Sequence, residues 1–531
     1  GWKVLGAVYK KTGRLDKSLV ASRKAVETAP SDAEALTNLG NVLKELDNLG
    51  EAETVYNKAI FVQPNYIKAH NNLGVLLQQL GRLDEAEKCY RDTIELDDNF
   101  ANPHNNLGIV LQKLGKLPEA ERSFRRAIEL QQNFAEVHSN LAITLQKMGR
   151  SKEAEASHRK AIATDPQYFG AYLNFCEFLE KANRLDDMHL VINNAKEHGY
   201  NDNSQLLLYE SLFFFRKEQY EKAEGLLSGI KERHLTEERL IAFLRLKAEV
   251  YQKNRNFKHA FATFKELNSK IRNSVDFSQL EANKYFEEQK EKVSQLRDLL
   301  GSTPYGKPIK ADWLQPVFLV GFPRSGTTLL DSMLRTHSKI EVLEEKPMIL
   351  EMRKKIKYSM DISAVEKMPF KTAKLGSDAY FDEMSQHLEK EGCPVVIDKM
   401  PLNILEIPII NRVFPKAKFI LALRHPLDCI LSCWMQNFQN NAAMANFVEL
   451  DRTVRMYCTT MEILNHCQKR YSLDCIVARY EDVILDYKQE ITNILKFLDL
   501  EWEDKIASYR QTAKNRAEIN TPSHHQVIKP I

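Results

Sequence analysis

Val317-Phe318-Leu319-Val320-Gly321-Phe322-Pro323-Arg324-Ser325-Gly326-Thr327-Thr328 decides how the C-terminal half reads. Four apolar residues predict a short buried strand, and Thr327-Thr328-Leu329-Leu330 opens a helix after the turn. Gly321 and Gly326 keep the spacing of a nucleotide P-loop, in which backbone N–H groups and a helix N-terminus wrap an anion. Thr327 stands where that loop carries its lysine, the residue that grips the terminal phosphates of a nucleoside triphosphate. The expected ligand is a different activated anion.

Working outward, short apolar runs alternate with longer helical segments: Pro394-Val395-Val396-Ile397, then Phe419 to Leu423, then Cys475-Ile476-Val477. Buried parallel strands joined by helices give that pattern, so the half from 317 to 531 is expected to be α/β, a mostly parallel sheet flanked by helices. Ligands of such sheets bind beyond the carboxyl ends of the strands. Upstream, Gly301 to Pro308 holds two Gly and two Pro in eight residues, which predicts a linker over 301–316.

The half before it repeats. Gly6, Gly40, Gly74, Gly108 and Ala142 are spaced by 34 residues, and Leu5, Leu39, Leu73, Leu107 and Leu141 travel with them. Ala25, Ala59, Thr93, Ala127 and Ala161 keep the same period, and Gly13, Gly81, Gly115 and Gly149 mark a mid-unit turn. Each unit reads as two antiparallel helices and resembles the tetratricopeptide repeat, so an α-solenoid is predicted over 1–300, with five clear units in 1–166. Degenerate units follow, and a helix around Leu280 to Leu300 is expected to cap the solenoid or dock to the next domain.

Asn38, Asn72, Asn106, Asn140 and Asn174 recur on the same period. A column of amides offers donors and acceptors that can hold an extended polypeptide by its backbone. It resembles the asparagine ladder of protein O-GlcNAc transferase, which implies a polypeptide partner; consensus polar positions on a solvated face are the alternative.

Over 531 residues, 75 Lys+Arg against 72 Asp+Glu leave a net charge of +3, which gives no support to a nucleic-acid-coating role. No apolar stretch approaches the roughly 20 residues of a membrane span. Eight cysteines without zinc spacing predict no structural metal, and leave Cys467 and Cys475 either reduced or bridged. That usage leans toward a cytoplasmic location, with an upstream targeting segment, a secretory location and a homodimer left open.

A second anion site is predicted after the run at 419–423. Leu423-Arg424-His425-Pro426 leads into a helix on which Ser432 lies less than two turns beyond Pro426, within reach of a phosphate shared with Arg424. Two anion sites on one sheet suit a nucleotide phosphorylated at both ends of its ribose. Here the sequence resembles the sulfotransferases: Gly321 to Thr328 is similar to their 5′-phosphosulfate loop, and Arg424 with Ser432 to their 3′-phosphate site. The donor implied is 3′-phosphoadenosine 5′-phosphosulfate (PAPS), leaving the bisphosphate PAP, with no metal.

Within the superfamily, residues 317 to 531 most resemble tyrosylprotein sulfotransferases, which implies a protein tyrosine acceptor. The resemblance makes Glu345 of Glu344-Glu345 the catalytic base, Lys399 of Asp398-Lys399-Met400-Pro401 the catalytic lysine, and Arg324 a further catalytic group. Arg324, Ser325, Gly326, Thr327, Thr328, Arg424, Ser432, Tyr480, Ser523, Gln526 and Lys529 are the implied donor contacts. Cys467 and Cys475 fall where the family has a disulfide.

The pattern also departs from that family. Val342 and Ile397 replace a second Cys pair, Gln436 replaces an Arg, and Lys346-Pro347 replace Thr-Arg. Ile531 precedes the family's last donor-contacting Lys, and the animal enzymes have a membrane anchor where this chain has a solenoid. The bland alternatives are Glu345 as a solvated acid, Lys399 as a surface cation, Ser432 as a plain helix residue and Tyr480 as a core aromatic. A glycan or small-molecule acceptor is the first alternative, and a repeat scaffold with an inactive or kinase-like nucleotide-binding module the second.

Overall fold

The computed structural model describes residues 1–273, 279–301, 309–357, 361–389, 393–436, 438 and 441–510. The chain divides into two compact units, Gly1–Phe261 and Ala262–Ile531.

The first unit is a helical solenoid. Its hairpins pair Trp2–Lys11 with Leu15–Thr28, Ala33–Glu45 with Leu49–Val62, Ile67–Gln79 with Leu83–Leu96, Ala101–Lys113 with Leu117–Leu130, and Ala135–Lys147 with Ser151–Thr164. Regular hairpins continue beyond the clear repeats, as Phe169–Lys181 with Leu185–Glu197 and Ser204–Arg216 with Tyr220–Ser228. The recurring glycine has a steric cause. A Cβ at Gly40, Gly74 or Gly108 would stand 2.5, 2.7 or 2.6 Å from the ring of Tyr56, Tyr90 or Phe124 on the second helix of the same hairpin. In the fifth unit the corresponding second-helix position carries the smaller His158, and there Ala142 replaces the glycine.

The mid-unit turn requires positive φ. Gly13, Gly81, Gly115 and Gly149 adopt +71°, +77°, +76° and +76°, while Asp47 and Asn183, at +61° and +54°, take the same place in units without the glycine. Successive units are also tied by a ladder of ion pairs: Arg82–Glu53 at 2.8 Å, Lys116–Glu87 at 2.9 Å, Arg150–Glu121 at 2.6 Å and Arg184–Glu155 at 2.5 Å.

The second unit is built on five strands: β1 (Val317–Gly321), β2 (Ile340–Glu344), β3 (Val395–Lys399), β4 (Lys418–Leu423) and β5 (Asp474–Arg479). They form one sheet of order β2-β3-β1-β4-β5, parallel throughout. Side chains on the two faces of β1 enter separate cores. Phe318 and Val320 pack with Tyr380, Phe414 and Met456, whereas Val317 and Leu319 pack with Leu330, Met333 and Ile494. The apolar-run criterion missed β2, whose Glu341 and Glu344 interrupt the pattern although both are buried.

The helix Gln279–Asp298 packs within this second unit. Phe286, Val293 and Leu296 join the sheet core, and buried Lys292 donates to Leu405 O at 2.9 Å and Glu406 Oε1 at 3.0 Å. The compact units therefore part between Phe261 and Ala262, upstream of the boundary expected near residue 300. Of the predicted linker, residues 302–308 lie outside the described residues. Ile309 is buried and Trp313 Nε1 donates to Val413 O at 3.2 Å, so the segment after it packs against the domain.

Candidate active site

Because all five strands run parallel, their carboxyl ends share one edge of the sheet, and each end delivers a residue singled out from sequence. β1 leads into Arg324 to Thr328, β2 ends at Glu344 before Glu345, β3 ends at Lys399, β4 precedes Arg424 and β5 precedes Tyr480. That edge is where open α/β sheets hold ligands. A cleft of about 770 Å³ between the helices Gln279–Asp298 and Leu450–Arg470 contains none of these residues.

One cluster gathers around β1 and β4. The helix Thr327–Leu334 starts directly after Gly326, whose φ is +104°. A Cβ there would stand 2.7 Å from Tyr480 Cδ2, so the loop backbone lies directly against that ring. Arg424 stacks on the same ring, its guanidinium 4.4 Å from the centroid. Arg324, at φ +70°, donates from Nε to Ser432 Oγ at 2.8 Å, and its carbonyl lies 3.5 Å from Arg424 Nη1. The structure thus brings Arg324, Gly326, Arg424, Ser432 and Tyr480 together.

This cluster suits an anion. Burial, and then the like charge of Arg424, push the Arg324 guanidinium below its ordinary value. Ser325 and Thr327 are buried at the helix start with Thr328, and among the described residues Ser325 Oγ and Arg424 Nε are buried without a hydrogen-bond partner. Unpaired polar atoms beside neighbouring guanidiniums fit phosphate or sulfate oxygens, the chemistry PAPS would present.

The second cluster joins β2 and β3. Lys399, 0 % exposed, donates from Nζ to Glu344 Oε1 at 2.9 Å and to Glu345 Oε1 at 3.1 Å. The Glu344 side chain is 4 % exposed and that of Glu345 35 %, so the cluster runs from the sheet outward to solvent. Glu345 adopts φ +52°, a region costly for a side chain, and its N–H donates to Lys399 O at 2.9 Å. Asp398 points to the opposite face, where it accepts from Tyr380 Oη at 3.1 Å and Asn403 Nδ2 at 3.4 Å. Burial pushes its carboxyl up to about 7.

Glu344 was visible in the sequence only as the partner of Glu345; the signal for its importance is that a carboxylate ends a strand facing a lysine. Ser523, Gln526 and Lys529 lie outside the described residues. Cys467 and Cys475 are free thiols, and burial raises both above the usual thiol value, Cys475 to about 11. Among the described residues no helix is long and apolar enough to cross a membrane, and no cluster of three His, Cys, Asp or Glu could hold a metal.

The asparagine column is half-buried and laced along the solenoid. Asn106 Nδ2 donates to Asn71 Oδ1 at 3.3 Å, Asn140 to Asn105 Oδ1 at 3.1 Å, Asn174 to Ser139 Oγ at 2.9 Å, and Asn72 to Asn41 Oδ1 at 2.9 Å. These amide donors link neighbouring units, whereas Asn38 makes no side-chain hydrogen bond among the described residues.

Residues 316–504 match the model of the Sulfotransferase family, and residues 33–66, 67–100 and 99–167 match tetratricopeptide-repeat models. An uncharacterized protein of Aquifex aeolicus is 28% identical over 41% of this chain and 29% of its own length. Protein-tyrosine sulfotransferase A of Caenorhabditis elegans is 24% identical over 40% of this chain and 58% of its own. Protein-tyrosine sulfotransferase 2 of Gallus gallus is 27% identical over 40% and 60%. The chain thus spans less than two thirds of the length of these relatives. A solved TPR protein of Thermus thermophilus is 26% identical, with TM-score 0.30 over 34% of this chain and 97% of that one. The C-terminal half of this chain carries a sulfotransferase-family domain over residues 316–504, and the solenoid before it holds tetratricopeptide repeats over residues 33–167.

Proposed function

We propose that the chain transfers a sulfuryl group from PAPS to a hydroxyl of a polypeptide, with tyrosine as the acceptor residue. The observation that carries this reading is the pairing, on one sheet edge, of an anion cluster with a carboxylate–lysine cluster. When bound, the donor supplies a sulfuryl group activated by its anhydride bond to phosphate.

The chain's own residues then have distinct roles. The loop N–H groups from Arg324 to Thr328, with the Ser325, Thr327 and Thr328 hydroxyls, hold the 5′ anion at a helix N-terminus. Arg424 and Ser432 hold the 3′-phosphate, and Tyr480 supports the Arg424 guanidinium from below. Thr327 in place of the P-loop lysine suits a sulfuryl group, which carries less charge than a terminal phosphate. Glu345, tethered through one carboxylate oxygen, takes the acceptor's proton, a role that contributes about 10²- to 10⁴-fold. Lys399 and Arg324 stabilise the charge that develops as the acceptor oxygen attacks.

The solenoid presents the polypeptide. Asn106, Asn140 and Asn174 spend amide N–H groups on the preceding unit and keep Oδ1 as an acceptor for peptide N–H groups. Asn38 and Asn72 extend the column.

The test is transfer of radiolabelled sulfate from PAPS by the full chain to tyrosine peptides and to oligosaccharides. Label on tyrosine peptides is expected. Label confined to oligosaccharides overturns the acceptor, and binding of ATP with Mg²⁺ in preference to PAP overturns the sulfotransferase reading.

A further inference from the structure

Glu344 has no role in the scheme above, yet it is the better buried of the two carboxylates that grip Lys399. Lys399 is itself 0 % exposed, and of its two carboxylate partners only Glu345 has substantial exposure. A buried ammonium requires a counter-charge. When Glu345 takes a proton it becomes neutral, and the ammonium behind it then depends on Glu344. We infer that Glu344, Lys399 and Glu345 form a functional triad in which Glu344 is a positioning residue, holding Lys399 charged and aimed so that Glu345 is oriented as the base. The inference rests on the sulfuryl-transfer reading for the role of Glu345.

The surroundings support this assignment. Glu344 and Lys399 are register partners on β2 and β3, so both side chains leave the same face of the sheet. The helix Thr327–Leu334 covers that face, and just past its end Arg335 donates to Asp331 Oδ1 at 2.5 Å and to Val342 O at 3.1 Å. The charges of Glu344 and Glu389 both act on Arg335. Asp398 and Tyr380 lie on the opposite face. The groups around the ammonium are therefore Glu344 and Glu345 in direct contact, with Arg335 and Asp331 behind Glu344.

The charge count gives the triad a signature. With both carboxylates ionised, the three groups carry one net negative charge. Removing the Glu344 charge leaves Lys399 with one counter-charge fewer and Glu345 with no second carboxylate across the shared ammonium. In Glu344→Gln, both limbs of the pH–rate profile are expected to shift toward acid by about one unit, the scale of a charge within hydrogen-bond reach. A side chain serving only to pack would lower the plateau and leave both limbs in place.

The experiment compares the full-length wild type, Glu344→Gln and Glu344→Asp by pH–rate profile. Carbon NMR of protein labelled at glutamate Cδ runs beside it, with the Glu345 signal assigned by its loss in Glu345→Gln. The Glu345 carboxyl is expected to titrate about one unit lower in Glu344→Gln than in wild type and to stay near wild type in Glu344→Asp. Coupling is reciprocal, so Glu345→Gln moves the Glu344 signal by the same amount and supplies the test if Glu344→Gln does not fold. Coincident NMR curves, or a lowered plateau with unmoved limbs, overturn the triad. A displaced NMR curve in a protein that transfers no sulfate upholds the triad and overturns the sulfuryl-transfer reading instead.

Discussion

Gly326→Ala tests whether the loop, the Tyr480 ring and the Arg424 guanidinium act as one donor-binding unit. Gly326 has φ +104°, where an L side chain is strained, a cost of about 1–3 kcal/mol. The new methyl would stand 2.7 Å from Tyr480 Cδ2 against a normal contact of about 3.5–4.0 Å, so ring or loop must move by roughly an ångström. The Arg424 guanidinium rests on that ring at 4.4 Å, and its displacement forfeits a charge-assisted contact worth about 1.5–3 kcal/mol. The backbone strain is shared by the free protein and weighs on stability, so the lost contact alone acts on binding, about 1.5–3 kcal/mol or roughly 10- to 150-fold in affinity. Calorimetry with PAP reads this directly, while a melting curve checks that the domain remains folded. A folded Gly326→Ala that binds PAP within twofold of wild type would refute the reasoning, because the ring and guanidinium would then be independent of the loop.

Three further outcomes are expected. Gly74→Ala places a Cβ 2.7 Å from the Tyr90 ring and should cost the solenoid about 1–3 kcal/mol in denaturant unfolding, whereas Ala142→Gly at the equivalent position should cost about 0.5–1 kcal/mol. Asp398 is raised to about 7 by burial, so its contribution to stability is complete below pH 3.8 and fades as pH rises through 7; Asp398→Asn should flatten that part of the melting-temperature profile. Glu345→Gln should lower turnover by about 10²- to 10⁴-fold while PAP affinity, measured by calorimetry, stays within threefold.

Much of this architecture was legible because its causes are local. The 34-residue period is written in Gly40, Gly74 and Gly108, since an aromatic ring on the following helix leaves no room for a Cβ. The loop at Gly321 to Thr328 was legible because Gly326 sits at φ +104° and a Cβ at Gly321 would stand 2.6 Å from Ala422 O. β2 was not, because Glu341 and Glu344 break its apolar run and their burial depends on partners distant in sequence: Glu341 accepts from the backbone N–H of Glu389, and Glu344 from Lys399. The packing of the helix before residue 300 was hidden for a related reason. The helix Gln279–Asp298 carries polar Gln289 and Lys292 on its buried face, and only the carbonyl of Leu405 and the carboxylate of Glu406 explain why Lys292 can be there.

The two clusters at the sheet edge divide the chemistry by the kind of group each employs. The anion cluster relies on guanidinium charge and fixed backbone dipoles, namely Arg324, Arg424 and the N–H groups at the start of Thr327–Leu334. The second cluster holds the ionisable groups that a proton transfer needs, and the fold keeps the charges apart by strand order. Glu344 ends an edge strand and Lys399 its neighbour β3, while Arg424 follows β4 on the far side of β1. Had the base followed β4, a guanidinium would sit against it and draw its titration down, weakening it as a proton acceptor. With β1 and β3 in between, Lys399 is the one cation bonded to Glu345 among the described residues, and a second carboxylate already shares its charge. On the proposed reading, strand order as much as residue identity thus sets the Glu345 carboxylate apart from the guanidiniums that would hold the donor.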